Sequence, residues 1–237
     1  MTSACALYLD LLKRSVGDFI YDSDKKYEEL LLGKQFIYVD LHTGQKHRLK
    51  TYEEVKENGL TGSKTAHTII GMKRLNQLQT AIETILQDDI PGDFIETGVL
   101  RGGACIFMRG ALKVYEVEDR NVWVADSFAG FPEEGLLAWG VEDPALFNTQ
   151  AASLETVKDN FERYQLLDQQ VKFLPGWFKD TLPTAPIEKL ALIRLDGDMY
   201  SSTMESITAL YPKLSSGGYL IVDDYYAFKE CREAIRE

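Results

Sequence analysis

The sequence contains no long apolar run, since none of its hydrophobic stretches approaches the roughly 18 residues that a membrane-spanning helix needs. Its N-terminal stretch, MTSACALYLDLLKRSVGD, carries an acid within the apolar part and a basic pair after it. A signal peptide has the opposite polarity. We therefore expect a cytoplasmic protein with no membrane partner.

Cysteine is also scarce. The three cysteines, Cys5, Cys105 and Cys231, lie far apart and match neither a disulfide framework nor a thiolate metal site. Free thiols buried in the core of a protein from a reducing compartment are the expected outcome.

Positive charge is scarcer than negative charge, with 26 Lys and Arg against 37 Asp and Glu and a formal net charge of −11. The sequence has no dense Lys/Arg run, and a polyanion needs a basic surface, so we expect no nucleic-acid partner. The acidic balance suits a soluble enzyme or a site that holds cations. A hydrophobic fraction of 45% in 237 residues is enough for the core of one large α/β domain.

Apolar strands alternate with helices through most of the chain. The expected strands are 93–97, NVWVADSF up to about Asp126, VKFLPGWF, LALIRLDGD and GYLIVDDY. The expected helices are 3–14, 72–86, 102–115, Leu154 to Tyr164 and 201–213. Strands nearly continuous in Val, Ile and Leu indicate a doubly wound, mostly parallel α/β sheet covered on both faces.

Other segments are less regular. QFIYVDLHTGQKHRL is predicted to form a hairpin that turns at 42–44, and 51–68 and the Gly-, Pro- and acid-rich stretch up to about 152 are predicted to be loops. We divide the chain into an N-terminal helical or lid extension, 1–70, and a cofactor-binding domain, 71–237.

Ligands of open α/β sheets bind beyond the carboxyl ends of the strands. The residues at the five strand ends are Glu96-Thr97-Gly98, Asp126-Ser127, Gly176-Trp177, Asp196-Gly197-Asp198 and Asp223-Asp224. Four of these ends carry carboxylates, which are costly to dehydrate without a partner, so we expect them to be paired or bound to a metal or ligand. For any single acid, a solvated loop position or a helix N-cap is the alternative.

The first of these turns carries the pattern Glu96-x-Gly98-x-x-x-Gly102. It is not the G-x-G-x-x-G of dinucleotide binders, and an acid before the turn would repel a pyrophosphate. The acid suits a ligand with an amino group, while Asp126 at the next strand end suits a ribose diol. S-adenosylmethionine, an amino acid joined to a nucleoside, meets both demands. A nicotinamide-dependent oxidoreductase is the alternative, but it would need the pyrophosphate turn that this sequence lacks.

A second constellation consists of Asp196, Asp223 and Asp224, which converge if their strands are neighbours. Oxygen ligands without His or Cys favour Mg²⁺, which leaves positions for two oxygens of a substrate diol. Asp198 is then a candidate general base, and the alternative is that it caps the helix after it.

Aromatic residues and histidines give weaker signals. Trp177 either stacks on adenine or is a core tryptophan, and His67 either lines the cofactor cleft or packs against its neighbours. His42 and His47 lie in the expected hairpin and are predicted to be solvated.

Five motifs in order resemble those of the macrocin O-methyltransferase (TylF-type) family. They are AHTIIGMKRLNQLQ, DFIETGVLRGGACIFMRG, ADSFAGFP, LIRLDGDMYSST and YPKLSSGGYLIVDDY. The resemblance runs from about residue 65 to the C-terminus. It implies a Rossmann-like methyltransferase fold of class I and an S-adenosylmethionine- and Mg²⁺-dependent enzyme of natural-product biosynthesis.

The resemblance also implies roles for individual residues. Asp196, Asp223 and Asp224 would be metal ligands, Asp198 the base, and Glu96, Gly98, Asp126 and Ser127 would hold the cofactor, with Thr68 and Ile69 over its methionine part. The loop 129–150 and the N-terminal segment would cover the acceptor, and such enzymes are often dimers. Members of the family normally continue into a final antiparallel strand pair that this sequence, which ends at CREAIRE, is expected to lack.

The sequence therefore predicts an O-methyltransferase that acts on a small-molecule acceptor with vicinal oxygens. A sugar diol on a glycosylated natural product is the first expectation, and a polyketide or aromatic diol is the competitor. A non-catalytic binding protein is the remaining alternative, although such a protein has no evident reason to converge three carboxylates.

Overall fold

The computed structural model describes residues 3–21, 37–39, 46–48, 51–60, 63–148 and 151–237. Within these ranges the strands are β1 (Ile37–Val39), β2 (Lys46–Arg48), β3 (Asp93–Thr97), β4 (Val122–Asp126), β5 (Val171–Pro175), β6 (Leu190–Leu195) and β7 (Leu214–Val222). The helices are α1 (Ser3–Val16), α2 (Tyr52–Glu57), α3 (Gly71–Gln87), α4 (Gly103–Val114), α5 (Glu133–Ala138), α6 (Pro144–Asn148), α7 (Leu154–Arg163), α8 (Phe178–Thr181), α9 (Tyr200–Leu210) and α10 (Lys229–Arg236).

Strands β3 to β7 form one sheet in the order β5-β4-β3-β6-β7, and every neighbouring pair is parallel. The predicted parallel sheet is therefore confirmed. The chain extends the sheet from β3 to one side through β4 and β5, and then returns to the other side of β3 with β6 and β7. The strand order reverses between β3 and β6, which is where open α/β sheets bind their ligands.

Both faces of the sheet are covered, because successive residues of each strand point to opposite faces. In β3, Phe94 belongs to a hydrophobic cluster with α3 and α4, whereas Ile95 belongs to a second cluster on the other face. Helix α1 joins the first cluster through Leu9, Leu12 and Val16. The N-terminal helix thus packs into the core of the sheet domain, and the division at residue 70 stays a prediction.

Two predicted loops contain helices, so those predictions were wrong. In 51–68, Thr51 and Glu54 form a capping box, and Val55 is buried, which together stabilise α2. The stretch up to 152 contains α5 and α6, and Leu136 in α5 is fully buried. Burial against the rest of the fold stabilises short helices that local composition does not favour.

The predicted hairpin is confirmed in its strands, since β1 pairs with β2 in antiparallel register from Ile37 opposite Arg48. Its turn at 42–44, which includes His42, lies outside the described residues, and His47 lies within β2. Cys105 and Cys231 are buried thiols outside any disulfide, as expected, whereas Cys5 is only half-buried. Among the helices of the described ranges, none is both long enough and apolar enough to cross a membrane.

Candidate active site

A cavity of about 930 Å³ opens at the carboxyl ends of the strands. Its walls include most of the residues predicted from sequence, namely Thr68, Ile69, Glu96, Gly98, Asp126, Ser127, Trp177, Asp196, Asp198, Asp223 and Asp224. Thr97 and Gly102 are not among the described walls. Thr97 is fully buried at the end of β3, and Gly102 precedes α4 beside Val157 of α7.

The turn after β3 lies against the end of β6 at the point where the strand order reverses. Gly98 has φ of +84°, and its N–H donates to the carbonyl of Ala125, while the N–H of Asp196 donates to the carbonyl of Thr97. A Cβ at Gly98 would overlap the backbone oxygen of Asp196. Glycine is therefore required here so that the first turn and the Asp196 turn fit together.

We expect Gly98→Ala to lower the free energy of unfolding by about 2–6 kcal/mol, because backbone strain and overpacking add. Gly140→Ala is the matched control, since Gly140 has φ of +79° with no atom within 4 Å of an added Cβ. This control should cost only the left-handed backbone strain of about 1–2 kcal/mol. Urea denaturation of both variants checks the difference, and equal losses would contradict the close contact.

Asp126 accepts hydrogen bonds from the turn after β3 and from the turn after β4. Its Oδ2 accepts a hydrogen bond from the N–H of Val99 at 2.8 Å, and its Oδ1 accepts one from the N–H of Phe128 at 2.8 Å. Burial raises the pKa of Asp126 despite these hydrogen bonds. The side chain thus fixes the turn after β3 relative to β4 while it forms part of the cavity wall.

The segment that carries Thr68 and Ile69 is held from two directions. The N–H groups of His67 and Thr68 donate to the carbonyl of Val16 at the end of α1. From the other side, Arg101 donates to the carbonyls of Ser63 and Ala66 at 2.5 and 2.6 Å. Helix α1 and the turn after β3 therefore position this wall of the cavity together.

Arg194 of β6 lies beneath the cavity with its side chain 1% exposed. Its Nη1 lies 2.5 Å from Glu96 Oε1 and 2.5 Å from Asp196 Oδ2, and its Nη2 donates to Asp223 Oδ1. The second oxygen of Glu96 accepts a hydrogen bond from Cys105 Sγ at 3.0 Å. Glu96 thus has partners within the protein in addition to any amino group that it meets in the cavity.

Asp198 and Asp224 contact each other within the acidic cluster. The N–H of Asp198 donates to Asp224 Oδ2 at 3.1 Å, and Asp198 has φ of +58°. Burial, followed by the charge of Asp196, raises the pKa of Asp198 to about 7. Burial, followed by the charges of Asp198 and Asp223, raises the pKa of Asp224 to about 8.

The structure decides three of the open alternatives. Helix α9 begins after Met199 with no side-chain cap, so the alternative that Asp198 caps it is wrong. Trp177 is 38% exposed at the cavity wall, which excludes a core tryptophan. His67 is not among the described cavity walls; its Nδ1 lies 3.0 Å from Tyr164 Oη, so the packing alternative holds.

The stretch 129–148 borders the cavity through Gly130, Phe131, Pro132 and Asn148. Trp139, just after α5, stacks on Phe228 with ring centroids 5.2 Å apart and an angle of 10° between the planes. Phe228 also lines the cavity, four residues after Asp224. The segment after β4 is therefore packed against the segment after β7.

The acidic cluster fits a divalent cation. One oxygen from each of Asp196, Asp223 and Asp224 lies within 4.8 Å of the others, and all three donors are carboxylates, which suits Mg²⁺. Burial is the largest effect that raises the pKa of Asp196 well above its usual range, and the nearby charges of Asp223 and Asp224 add to it. A cation in the cluster would relieve this crowding of like charges.

Sequence reasoning missed the arginines of the site. Arg194 was part of a predicted strand but was given no role, and Arg74, whose Nη1 lies 3.1 Å from Asp223 Oδ2, was also missed. The signal was present for Arg194, because a charged residue inside the apolar run LALIRL must find buried partners.

Comparison with known proteins gives concordant matches. A family model described as Macrocin-O-methyltransferase (TylF) matches residues 5–237. Mycinamicin III 3''-O-methyltransferase of Micromonospora griseorubida is 49% identical over 243 residues, covering 98% of this chain and 87% of that protein. A second relative, 8-demethyl-8-(2,3-dimethoxy-alpha-L-rhamnosyl)-tetracenomycin-C 4'-O-methyltransferase of Streptomyces olivaceus, is 43% identical over 245 residues, covering 98% and 84%.

The fold agrees with a solved structure as well. The O-methyltransferase NovP superposes with a TM-score of 0.81 at 44% identity, over 98% of this chain and 89% of that chain. The two chains therefore share the same fold.

Proposed function

The chain belongs to the macrocin O-methyltransferase family, and from this premise we propose that it transfers a methyl group from S-adenosylmethionine to a sugar hydroxyl that Mg²⁺ orients. As a member of the family the protein is an O-methyltransferase. The two rival classes, an oxidoreductase and a non-catalytic binding protein, are therefore set aside. The acceptor, the metal and the roles of the residues are the proposal.

One observation carries the proposal. The carboxylate triad of Asp196, Asp223 and Asp224 lies in the same cavity as Glu96, Gly98 and Asp126. A methyl donor along the first turn and an acceptor at the triad would therefore share one enclosed space. A reaction between two bound molecules requires this proximity.

The cofactor would lie along the walls formed by the first two strand ends. We assign its amino group to Glu96 and its ribose diol to Asp126, with Gly98 and Ser127 beside them. Thr68 and Ile69 would cover the methionine part, and Trp177 would contact the adenine. Thr97 and Gly102 would act only through the turn that they flank, since neither is a wall of the cavity.

Asp196, Asp223 and Asp224 would hold Mg²⁺, each with one oxygen. When bound, the ion would polarise the acceptor hydroxyl and lower its pKa. Asp198 would take the hydroxyl proton as the new O–CH₃ bond forms and the S–CH₃ bond breaks, which converts the sulfonium to a neutral thioether. Asp198 lines the same cavity as the triad, which places its carboxylate within reach of a hydroxyl held there.

The acceptor would be a glycosylated natural product of the kind made in antibiotic biosynthesis. The names of the two relatives indicate methylation of 3'' and 4' oxygens, and the second name includes a rhamnosyl group. The cavity walls also include Phe131 and Phe228, which suit an apolar aglycone. The lid role of 129–150, the cytoplasmic location and the homodimer stay predictions.

We expect S-adenosylmethionine to bind with micromolar affinity in a calorimetric titration and NAD⁺ not to bind. In a methylation assay with Mg²⁺, glycosides with a vicinal sugar diol should gain one methyl group, detected by mass spectrometry. If only aromatic diols are methylated, the acceptor is an aromatic diol and not a sugar. Failure to bind S-adenosylmethionine would overturn the assignment of the cavity.

A further inference from the structure

Arg194 is the one charged residue of β6, and it is the largest of the fully buried side chains in the described chain. A guanidinium stays protonated in proteins, so its charge must be balanced where it lies. Three carboxylates provide this balance, and they come from the ends of three adjacent strands, β3, β6 and β7. The register places Glu96 directly beside Arg194 across β3 and β6.

Two of these carboxylates belong to the proposed metal triad. Arg194 engages Oδ2 of Asp196 and Oδ1 of Asp223, which leaves Oδ1 of Asp196 and Oδ2 of Asp223 as the oxygens available to a cation. The Oδ2 of Asp223 is also 3.1 Å from Arg74, whose side chain is 33% exposed and less constrained. The third member of the triad, Asp224, accepts a hydrogen bond from the N–H of Asp198.

We propose that Arg194 is a positioning residue for the metal site, and that its two Nη atoms hold Asp196 and Asp223 with their second oxygens directed toward the cation. The inference rests on the proposed function, because it assumes that the triad binds Mg²⁺. In this role the forked shape of the guanidinium matters as well as its positive charge.

A role that depends on shape and a role that depends only on charge predict different Mg²⁺ affinities for one substitution. Lysine keeps the positive charge but offers a single ammonium that cannot reach three carboxylates in the fixed geometry of the fork. If Arg194 positions the ligands, Arg194→Lys should weaken Mg²⁺ binding. If Arg194 only neutralises charge, Arg194→Lys should bind Mg²⁺ as tightly as the parent protein.

The experiment is a calorimetric Mg²⁺ titration of the parent protein, Arg194→Lys, Asp224→Asn and Arg109→Lys. Arg109 is the matched control, because it is 4% exposed and pairs with Asp168 at 2.6 Å, and neither residue lines the cavity. We expect Arg194→Lys to weaken Mg²⁺ binding about 10- to 100-fold, as loss of a group that orients a metal ligand does. Arg109→Lys should leave the Mg²⁺ affinity unchanged even where it lowers the melting temperature.

The outcomes separate the two proposals. Parent-like Mg²⁺ binding by Arg194→Lys overturns the positioning role but leaves the metal site intact, provided that Asp224→Asn abolishes binding. No binding by the parent protein overturns the metal site and the positioning role with it, while S-adenosylmethionine binding would still test the cofactor site separately. If Arg194→Lys does not fold, Glu96→Gln/Arg194→Lys gives the ammonium only two carboxylates to satisfy, and Glu96→Gln alone is its reference. Equal Mg²⁺ affinity of these two variants overturns the proposal.

Discussion

Replacing Asp198 by asparagine should lower kcat for methyl transfer by about 10²- to 10⁴-fold, the range that a general base contributes. Asparagine is nearly isosteric and tolerates the left-handed backbone found at this position, where φ is +58°. The backbone N–H of Asp198 keeps its hydrogen bond to Asp224, and the asparagine amide can donate in the side-chain hydrogen bond that the two carboxyl groups share. The substitution therefore removes the proton acceptor with little other change.

The loss should be confined to the chemical step. Titrations of S-adenosylmethionine and Mg²⁺ should give affinities close to those of the parent protein, and single-turnover rates should fall as far as kcat does. The deficit should shrink with acceptors whose hydroxyl is more acidic, because these need less help to lose a proton. Parent-like turnover by Asp198→Asn would exclude this residue as the base.

The carboxylates of the site could be predicted because parallel strands place their carboxyl ends at one edge. The strand 93–97 was predicted with the bounds observed for β3, and the acids at the carboxyl ends of β3, β4, β6 and β7 all line the cavity. Alternation of strands and helices is a local signal that survives without knowledge of strand order. The alternation predicts a parallel sheet, and a parallel sheet places the carboxyl ends of its strands, with their acids, at one edge.

The partners of those carboxylates depend on strand order, which no local pattern encodes. Glu96 and Arg194 are separated by 98 positions and meet because β6 returns to the side of β3 away from β4. Sequence reasoning therefore assigned Glu96 only to a ligand. Likewise, Asp126 was assigned to a ribose, and its hydrogen bonds to the N–H groups of Val99 and Phe128 came only with the structure.

The predictions of the two segments as loops were wrong for different reasons. Thr51 and Glu54 form a capping box that is visible in the sequence, so α2 could have been found. Helix α5 has a weaker signal, because Pro132 followed by Glu133 and Glu134 suits a helix start but Gly135 favours a loop. Its stability comes from contacts distant in sequence, including the stacking of Trp139 on Phe228.

Replacing Asp224 by asparagine should abolish Mg²⁺ binding and lower kcat by about 10³-fold, because Lewis-acid stabilisation is worth several kcal/mol and each ~1.4 kcal/mol is tenfold in rate. Asp224 is 5% exposed and accepts a hydrogen bond from the N–H of Asp198, which the amide oxygen of asparagine can also accept. The fold should therefore persist while the third charged ligand is lost. The same fall in rate should follow removal of Mg²⁺ from the parent protein by EDTA.

The control is Glu205→Gln, which neutralises another carboxylate of the same cavity outside the triad. Glu205 Oε2 accepts from the N–H of Lys179, and the amide oxygen of glutamine can replace it. This variant should retain Mg²⁺ binding, because the site depends on three converging oxygens and not on the total negative charge of the cavity. If instead both variants lose Mg²⁺ to the same extent, the cation is held by the diffuse field of the acidic cavity. If EDTA leaves the parent rate unchanged, positioning of the two substrates and Asp198 would have to supply the acceleration without a metal.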